Sequence, residues 1–242
     1  MYRGKKVSLV FPAYNEEKNI GAAVKDFLSI RLVDEIIVVD NNSRDNTSQI
    51  AKKAGAKVVL EKKQGYGFAL RRGVEEAIGD LIVLCEPDAT FSAADLPRLL
   101  SLTNNYDLVM GTRTNKRFIR NGANMGLFLR LGNISVAKFT QLLYGLNGIS
   151  DCGCTFRVFN KSIAEKILPH LTVGGSHFLP ETVALTKLAG GKIAEIPVHY
   201  GQRVGESKIT GSFSRSVQVG LNMLGIILKY KFNPPKLSHH TS

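Results

Sequence analysis

Short apolar and β-branched runs alternate with helical periodicities through about the first hundred residues. Val7 to Phe11 reads as a first strand, and Ile20, Ala23, Val24, Phe27 and Leu28 then recur at helical spacing, with Asn15 placed to cap that helix. Glu35 to Asp40 is a second strand that ends in the polar run Asn41 to Asn46, and the short helix after it stops at Gly55. Lys57 to Leu60 is a third strand, Phe68 to Ile78 a helix closed by Gly79, and Leu81 to Cys85 a fourth strand. Ser92 and Asp95 have the spacing of a capping box, and Asp107 to Gly111 is a further strand. The strands are apolar on both faces, as a helix-covered parallel sheet requires. This pattern predicts an α/β fold built on a doubly wound, mostly parallel sheet.

From Thr112 the pattern changes to a basic, loop-rich segment holding Arg113, Lys116, Arg117, Arg120 and Arg130, which leads into a helix near Leu127 to Tyr144. A polar turn, Ser150 to Cys154, precedes a strand from Thr155 to Phe159; helices follow near Lys161 to Leu168 and Leu179 to Ala189, then an extended stretch from Lys192 to Tyr200. The last helix, about Phe213 to Lys229, is apolar over about 12 residues, or about 18 Å, too short to cross a bilayer. It suits either packing on the domain or an interfacial position, and Lys229, Lys231 and Lys236 tilt the reading toward the interface. The expected organisation is a single domain over 1–232, with a sheet-forming part (1–111), a basic, loop-rich part (112–212), a terminal amphipathic helix (213–230) and a flexible tail (233–242).

Composition narrows the classes. Among 242 residues, 32 Lys and Arg face 20 Asp and Glu, a net charge of +12 that favours anionic partners. Three cysteines, Cys85, Cys152 and Cys154, make neither a disulfide framework nor a zinc site, which suggests a reducing, cytoplasmic compartment. The apolar run at the N-terminus is too short for a signal peptide. No RNA-recognition aromatic motif, helix-turn-helix pattern or zinc spacing is found, so nucleic acid is not an expected partner.

Ligands of open α/β sheets bind beyond the carboxyl ends of the strands, where this chain places Pro12 to Glu16, Asp40 and Asn42, and Glu86-Pro-Asp88. Acidic groups at adjacent strand ends are costly to gather unless a cation or hydrogen-bond donors compensate. Mg²⁺ typically takes one or two protein carboxylates plus substrate phosphates, so Glu86 and Asp88 imply a diphosphate ligand. Other phosphate sites fail: Leu70 stands where a dinucleotide fingerprint begun at Gly65 and Gly67 needs glycine, and no Gly-Lys-Ser/Thr loop occurs.

Phe11-Pro-Ala-Tyr-Asn-Glu-Glu17, Val38 to Ser43, Gly65 to Arg71 and Glu86-Pro-Asp88 resemble, in order and spacing, the motifs of family 2 glycosyltransferases with the GT-A fold. Gly111-Thr-Arg113, Asp151 to Arg157 and Arg203 to Lys208 are similar to dolichyl-phosphate mannose synthases and related polyprenyl-phosphate glycosyltransferases. The resemblance implies that Pro12, Tyr14, Glu16, Asp40, Asn42 and Gly67 bind the donor, with Asp40 on the nucleobase, and that Glu86 and Asp88 hold Mg²⁺ or Mn²⁺. Glu86 departs from the commoner Asp, and Thr90 stands where some relatives have a metal-binding Gln.

Arg113, Arg130, Arg203, Ser207 and Lys208 are then the implied contacts of the acceptor phosphate, with Asp88, Arg113, Arg203 and Lys208 as the catalytic set. His177 reads as a structural histidine near the site. The expected reaction is inverting transfer of a hexose from GDP-mannose or a UDP-hexose to a polyprenyl or dolichyl phosphate, by an enzyme peripheral on the cytoplasmic face of a membrane. Oligomeric state is left open. A phosphate monoester, with a second pKa of about 6, is already ionised and needs no strong base, whereas a hydroxyl acceptor would need one, for which Asp151 is the best candidate. Transfer to a hydroxyl of a glycan or lipid is the alternative, and a non-enzymatic basic binding protein a third reading.

Overall fold

Alternate residues of each strand feed two apolar layers, one on either face of a single seven-stranded sheet. The computed structural model describes residues 1–120, 122–123, 126–204 and 213–237. Its strands are β1 (Val7–Ala13), β2 (Glu35–Asp40), β3 (Lys57–Leu60), β4 (Leu81–Leu84), β5 (Leu108–Thr112), β6 (Arg157–Asn160) and β7 (Ile193–Pro197), in the order β3-β2-β1-β4-β6-β5-β7. Its helices are α1 (Ile20–Ser29), α2 (Thr47–Lys53), α3 (Tyr66–Glu76), α4 (Leu96–Ser101), α5 (Leu127–Tyr144), α6 (Lys161–Ile167), α7 (Phe178–Leu188) and α8 (Phe213–Phe232).

Val10, Ile37, Val39, Ile82 and Leu84 pack with α3 and α5 to α8, while Leu9, Phe11, Val38 and Val83 pack with α1, α2 and α4. Every pairing is parallel except those of β6, which runs antiparallel to both β4 and β5. The segment entering β6 therefore meets the carboxyl ends of β1, β2, β4, β5 and β7 at one rim. The mostly parallel doubly wound sheet is as expected; the reversal of β6 is an added feature.

Several local readings change. Asn15 does not cap α1, whose N-cap is Asn19. Instead Asn15, at φ 56°, accepts from Arg44 N at 2.8 Å and donates its own N–H to Ser43 Oγ at 3.0 Å, tying the β1 and β2 loops together. Gly79 does not stop α3, which ends at Glu76; a Cβ on Gly79 would stand 2.6 Å from Ser8 Oγ, so close chain approach explains the glycine. Ser92 does cap, accepting from Ala94 N at 3.3 Å, but Asp95 turns away to His199 and Arg98.

α8 lies on the domain. Ile227 is fully buried, Met223, Ile226 and Tyr230 nearly so, and the Tyr144 hydroxyl of α5 donates to Ile227 O at 2.7 Å. Fully burying an Ile or Leu side chain stabilises by about 1.5–3 kcal/mol, so this face holds the helix down without a lipid surface. Packing on the domain, one of the two expected readings of α8, is what the buried face shows. Among the described residues no helix is long and apolar enough to cross a membrane, and Cys85, Cys152 and Cys154 are buried free thiols.

Candidate active site

The rim where the strand ends converge carries two carboxylates directly after β4. Glu86 accepts at Oε1 from the Tyr66 hydroxyl (3.0 Å) at the start of α3 and from Thr155 Oγ1 (3.1 Å) just before β6. Burial, then the neighbouring charge of Asp88, pushes its carboxyl up to about 7, against the pull of Arg203 and Arg113. Asp88 is fully buried. Its Oδ1 accepts from Thr90 N (3.1 Å) and Thr90 Oγ1 (2.5 Å). Its Oδ2 lies 2.9 Å from Arg203 Nη2 but makes no hydrogen bond of acceptable angle, so charge rather than direction joins that pair.

Two guanidinium groups share this floor. Arg113, just past β5, is clamped by Asp151: Nε to Oδ2 at 2.8 Å and Nη2 to Oδ1 at 2.9 Å. Burial opposes its charge, but Asp151 outweighs burial and holds the group well above its ordinary range. Asp151 is itself held by the chain: its N–H and that of Ser150 donate to Glu195 Oε2 of β7 at 2.9 and 2.7 Å. For Arg203, burial is likewise outweighed, chiefly by Asp88 and then by Glu86 and Glu16. Above the floor opens a cavity of about 350 Å³. Glu86, Arg113 and Arg203 line its base; Phe128 and Val136 of α5 and Leu221 and Leu224 of α8 face each other across it.

Of the residues expected at the site, Glu86, Asp88, Arg113 and Arg203 are thus brought together. Arg203, expected on the acceptor phosphate, lies beside Asp88 in this structure, where the segment from 201 to 204 is strapped to the β4 loop by Gly201 N to Thr90 O (2.8 Å) and Val204 N to Asp88 O (3.1 Å). Pro12 and Asp40 stand at adjacent strand ends, in the β1–β2 register. Asp40 accepts from Ser43 N (2.8 Å) and from the Ser48 hydroxyl, so both of its oxygens already serve their own loop. Asn42 gives its amide to Lys62 O at 2.9 Å, linking the loops after β2 and β3. Glu16 accepts from Asn19 Nδ2 at 2.8 Å, and Tyr14 is half-buried beside it.

Gly67 is explained by packing: a Cβ there would stand 2.2 Å from Val173 O, and its N–H donates to Gly174 O at 2.8 Å. Arg130 and His177 do not line the cavity. Ser207 and Lys208 lie outside the described residues. Asp151, the expected base for a hydroxyl acceptor, is fully buried with both oxygens on Arg113 and Gly153 N, so it does not face a substrate. Sequence reasoning missed Tyr66, Thr155 and Glu195, and also Tyr200, whose ring lines the cavity with its centroid 5.5 Å from Arg113 Cζ. Tyr66 fell inside a quoted motif, but nothing in its spacing showed that its hydroxyl reaches Glu86.

The residues fit a divalent cation. Among the described residues no three His, Cys, Asp or Glu side chains gather into a metal cluster. Two carboxylates, one with a buried oxygen lacking a directed partner, suit a hard ion that takes its remaining ligands from phosphates.

A model of glycosyl transferase family 2 matches residues 8–168. A dolichyl-phosphate hexose transferase of Haloferax volcanii is 30% identical over 232 residues, covering 94% of this chain and 96% of that protein. The low-salt glycan biosynthesis hexosyltransferase Agl6 of the same organism is 31% identical, over 84% of this chain and 49% of its own length. Glucosyl-3-phosphoglycerate synthase of Mycobacterium tuberculosis superposes with a TM-score of 0.70 at 21% identity, over 96% of this chain and 83% of that one. Its complex with Mn²⁺, UDP-glucose and phosphoglyceric acid gives 0.69 at 22% identity, over 96% and 82%.

These findings uphold the resemblance at the level of family and fold, and the expected Mg²⁺ or Mn²⁺ agrees with the Mn²⁺ of the solved complexes. The narrower likeness to dolichyl-phosphate mannose synthases is not carried, since relatives divide between a dolichyl-phosphate enzyme and a phosphoglycerate enzyme. The expected polyprenyl-phosphate and membrane partners are corrected: the solved complexes hold phosphoglyceric acid or glycerol 3-phosphate, soluble metabolites. Matched by the family model over most of its sheet and aligned almost end to end with a 30% identical transferase, the chain belongs to glycosyl transferase family 2 and is a glycosyltransferase of the GT-A fold.

Proposed function

We propose that the protein moves a hexose from a nucleoside-diphosphate hexose to a hydroxyl of a small acceptor, in a metal-dependent reaction that inverts the anomeric centre. One observation carries this reading: the carboxylate of Glu86 and the guanidinium groups of Arg113 and Arg203 line one cavity, and the buried carboxylate of Asp88 lies directly behind Arg203, 2.9 Å from its Nη2. Acids for a cation and fixed cations for phosphates are what departure of a diphosphate requires. The solved neighbours, with Mn²⁺, UDP-glucose and a phosphorylated acceptor, support the same reading.

Asp88 and Glu86 are the residues that would hold the cation. Bound there, a divalent ion neutralises charge on the departing diphosphate. Thr90 fixes the rotamer of Asp88 through its N–H and hydroxyl, so the carboxylate needs no reordering. Tyr66 and Thr155 do the same for Glu86. Arg113 stays charged and immobile in the grip of Asp151, a pre-set partner for developing negative charge. Asp151 is committed to that task and does not take the acceptor proton.

The test is release of nucleoside diphosphate from UDP-glucose or GDP-mannose with Mn²⁺, using phosphoglyceric acid, glycerol 3-phosphate and related hydroxyl compounds as acceptors. Turnover is expected with at least one pair, and Asp88→Asn is expected to lower it by ~100-fold or more. Failure of every donor to bind, or undiminished turnover in the variant, would overturn the reading.

A further inference from the structure

We infer that Arg203 competes with the cation for Asp88, and that a nucleoside diphosphate relieves the competition by offering Arg203 another anion, so that metal and nucleotide bind cooperatively. This rests on the placement of the metal at Asp88 proposed above. Thr90 engages Oδ1 of Asp88, which leaves Oδ2 as the oxygen a cation would take. That oxygen is the one Arg203 Nη2 approaches to 2.9 Å. Asp88 is wholly buried and absent from the cavity wall, while the Arg203 side chain is 29% exposed and lines it. The guanidinium therefore stands between the cavity and the carboxylate.

Arg203 can leave without moving its backbone. Gly201 N, Val204 N and Val204 O are bonded to Thr90 O, Asp88 O and Asn19 Nδ2 respectively, so the segment stays strapped down while the side chain rotates. Rotation away from Asp88 costs a desolvated charge its partner unless a second anion receives it. A diphosphate, with its bidentate fit to guanidinium, is such an anion. Linkage then makes the effect reciprocal: metal tightens nucleotide by the factor that nucleotide tightens metal.

The experiment is Mn²⁺ titration of the full chain, followed by the electron paramagnetic resonance of free Mn²⁺, alone and with saturating UDP or GDP. The unaltered protein is expected to bind Mn²⁺ weakly alone and much more tightly with nucleotide. Arg203→Ala should bind Mn²⁺ alone at least about tenfold more tightly, since a positive charge beside the site is gone, and its nucleotide-dependent gain should shrink by a similar factor. Arg203→Lys keeps the charge and should bind Mn²⁺ alone as weakly as the unaltered protein, separating charge from packing.

Unchanged or weakened Mn²⁺ binding in a folded Arg203→Ala protein would overturn the inference. An Asp88→Asn arm keeps the two claims apart. Loss of Mn²⁺ in that variant upholds the metal placement whatever Arg203 does, and retained Mn²⁺ would sink both.

Discussion

Gly73 shows at the scale of one residue how close the α3–β1 contact is. A Cβ on this glycine would stand 2.1 Å from Val10 Cγ1, inside the first apolar layer. Gly73→Ala should therefore cost about 1–3 kcal/mol, read as a lower urea midpoint with unchanged slope. The sequence shows glycines at 65, 67 and 73 but not what approaches them. Gly67 suggested a ligand because the family motif contains it, and the structure puts the Val173 carbonyl there. Glu86 and Asp88 were legible as a pair because proline spacing and strand-end position are sequence properties. The grip of Tyr66 and Thr155 on Glu86 spans 20 and 69 positions along the chain, and no local pattern encodes it.

At the scale of elements, β7 does more than close the sheet. Glu195, half-buried on this strand, accepts from Ser150 N, Ser150 Oγ and Asp151 N, and so sets the turn that clamps Arg113. Burial pushes its carboxyl above the ordinary range, more than these donors pull it back. The folded protein thus holds the Glu195 proton more tightly than the unfolded chain does. Its contribution to stability is present below the ordinary carboxylate pKa and fades as pH rises through the folded value. Glu195→Gln keeps an acceptor oxygen for the two backbone N–H groups, places its amide N–H₂ against Ser150 Oγ, and cannot titrate. The unfolding free energy of the unaltered protein should fall relative to the variant as pH climbs from about 4 toward neutrality, measured by urea melts at several pH values. Apolar runs and spacing revealed where β1 to β5 lie to within about two residues. They could not reveal that β6 runs backwards, since a strand reads alike in either direction.

Over the whole molecule, the terminal helix decides whether this same apolar layer, the one containing Val10, is closed. Ending the chain before Phe213 would strip Met223, Ile226, Ile227 and Tyr230 from that layer and leave the buried Glu181 without the Tyr230 hydroxyl at 2.8 Å. The expected product is an aggregating or molten chain, detected by loss of near-ultraviolet circular dichroism. Amphipathic periodicity announced an apolar face on this helix without saying what it would touch, which is why the neighbouring lysines tilted the reading toward lipid before the packing on protein was seen. Ligand should act in the opposite sense to truncation: UDP or GDP with Mn²⁺ at 100 times Kd should raise the unfolding free energy by about 2.7 kcal/mol.

The double duty of α8 has one more effect. Val217, Leu221 and Leu224 form a wall of the cavity, while Ile227 and Tyr230, one to two turns further along, are sealed into the interior. Occupation of the cavity and fraying of this helix are therefore two faces of a single equilibrium. Backbone amides across α8 should exchange with deuterium more slowly once donor and acceptor are seated, even those far from any ligand atom.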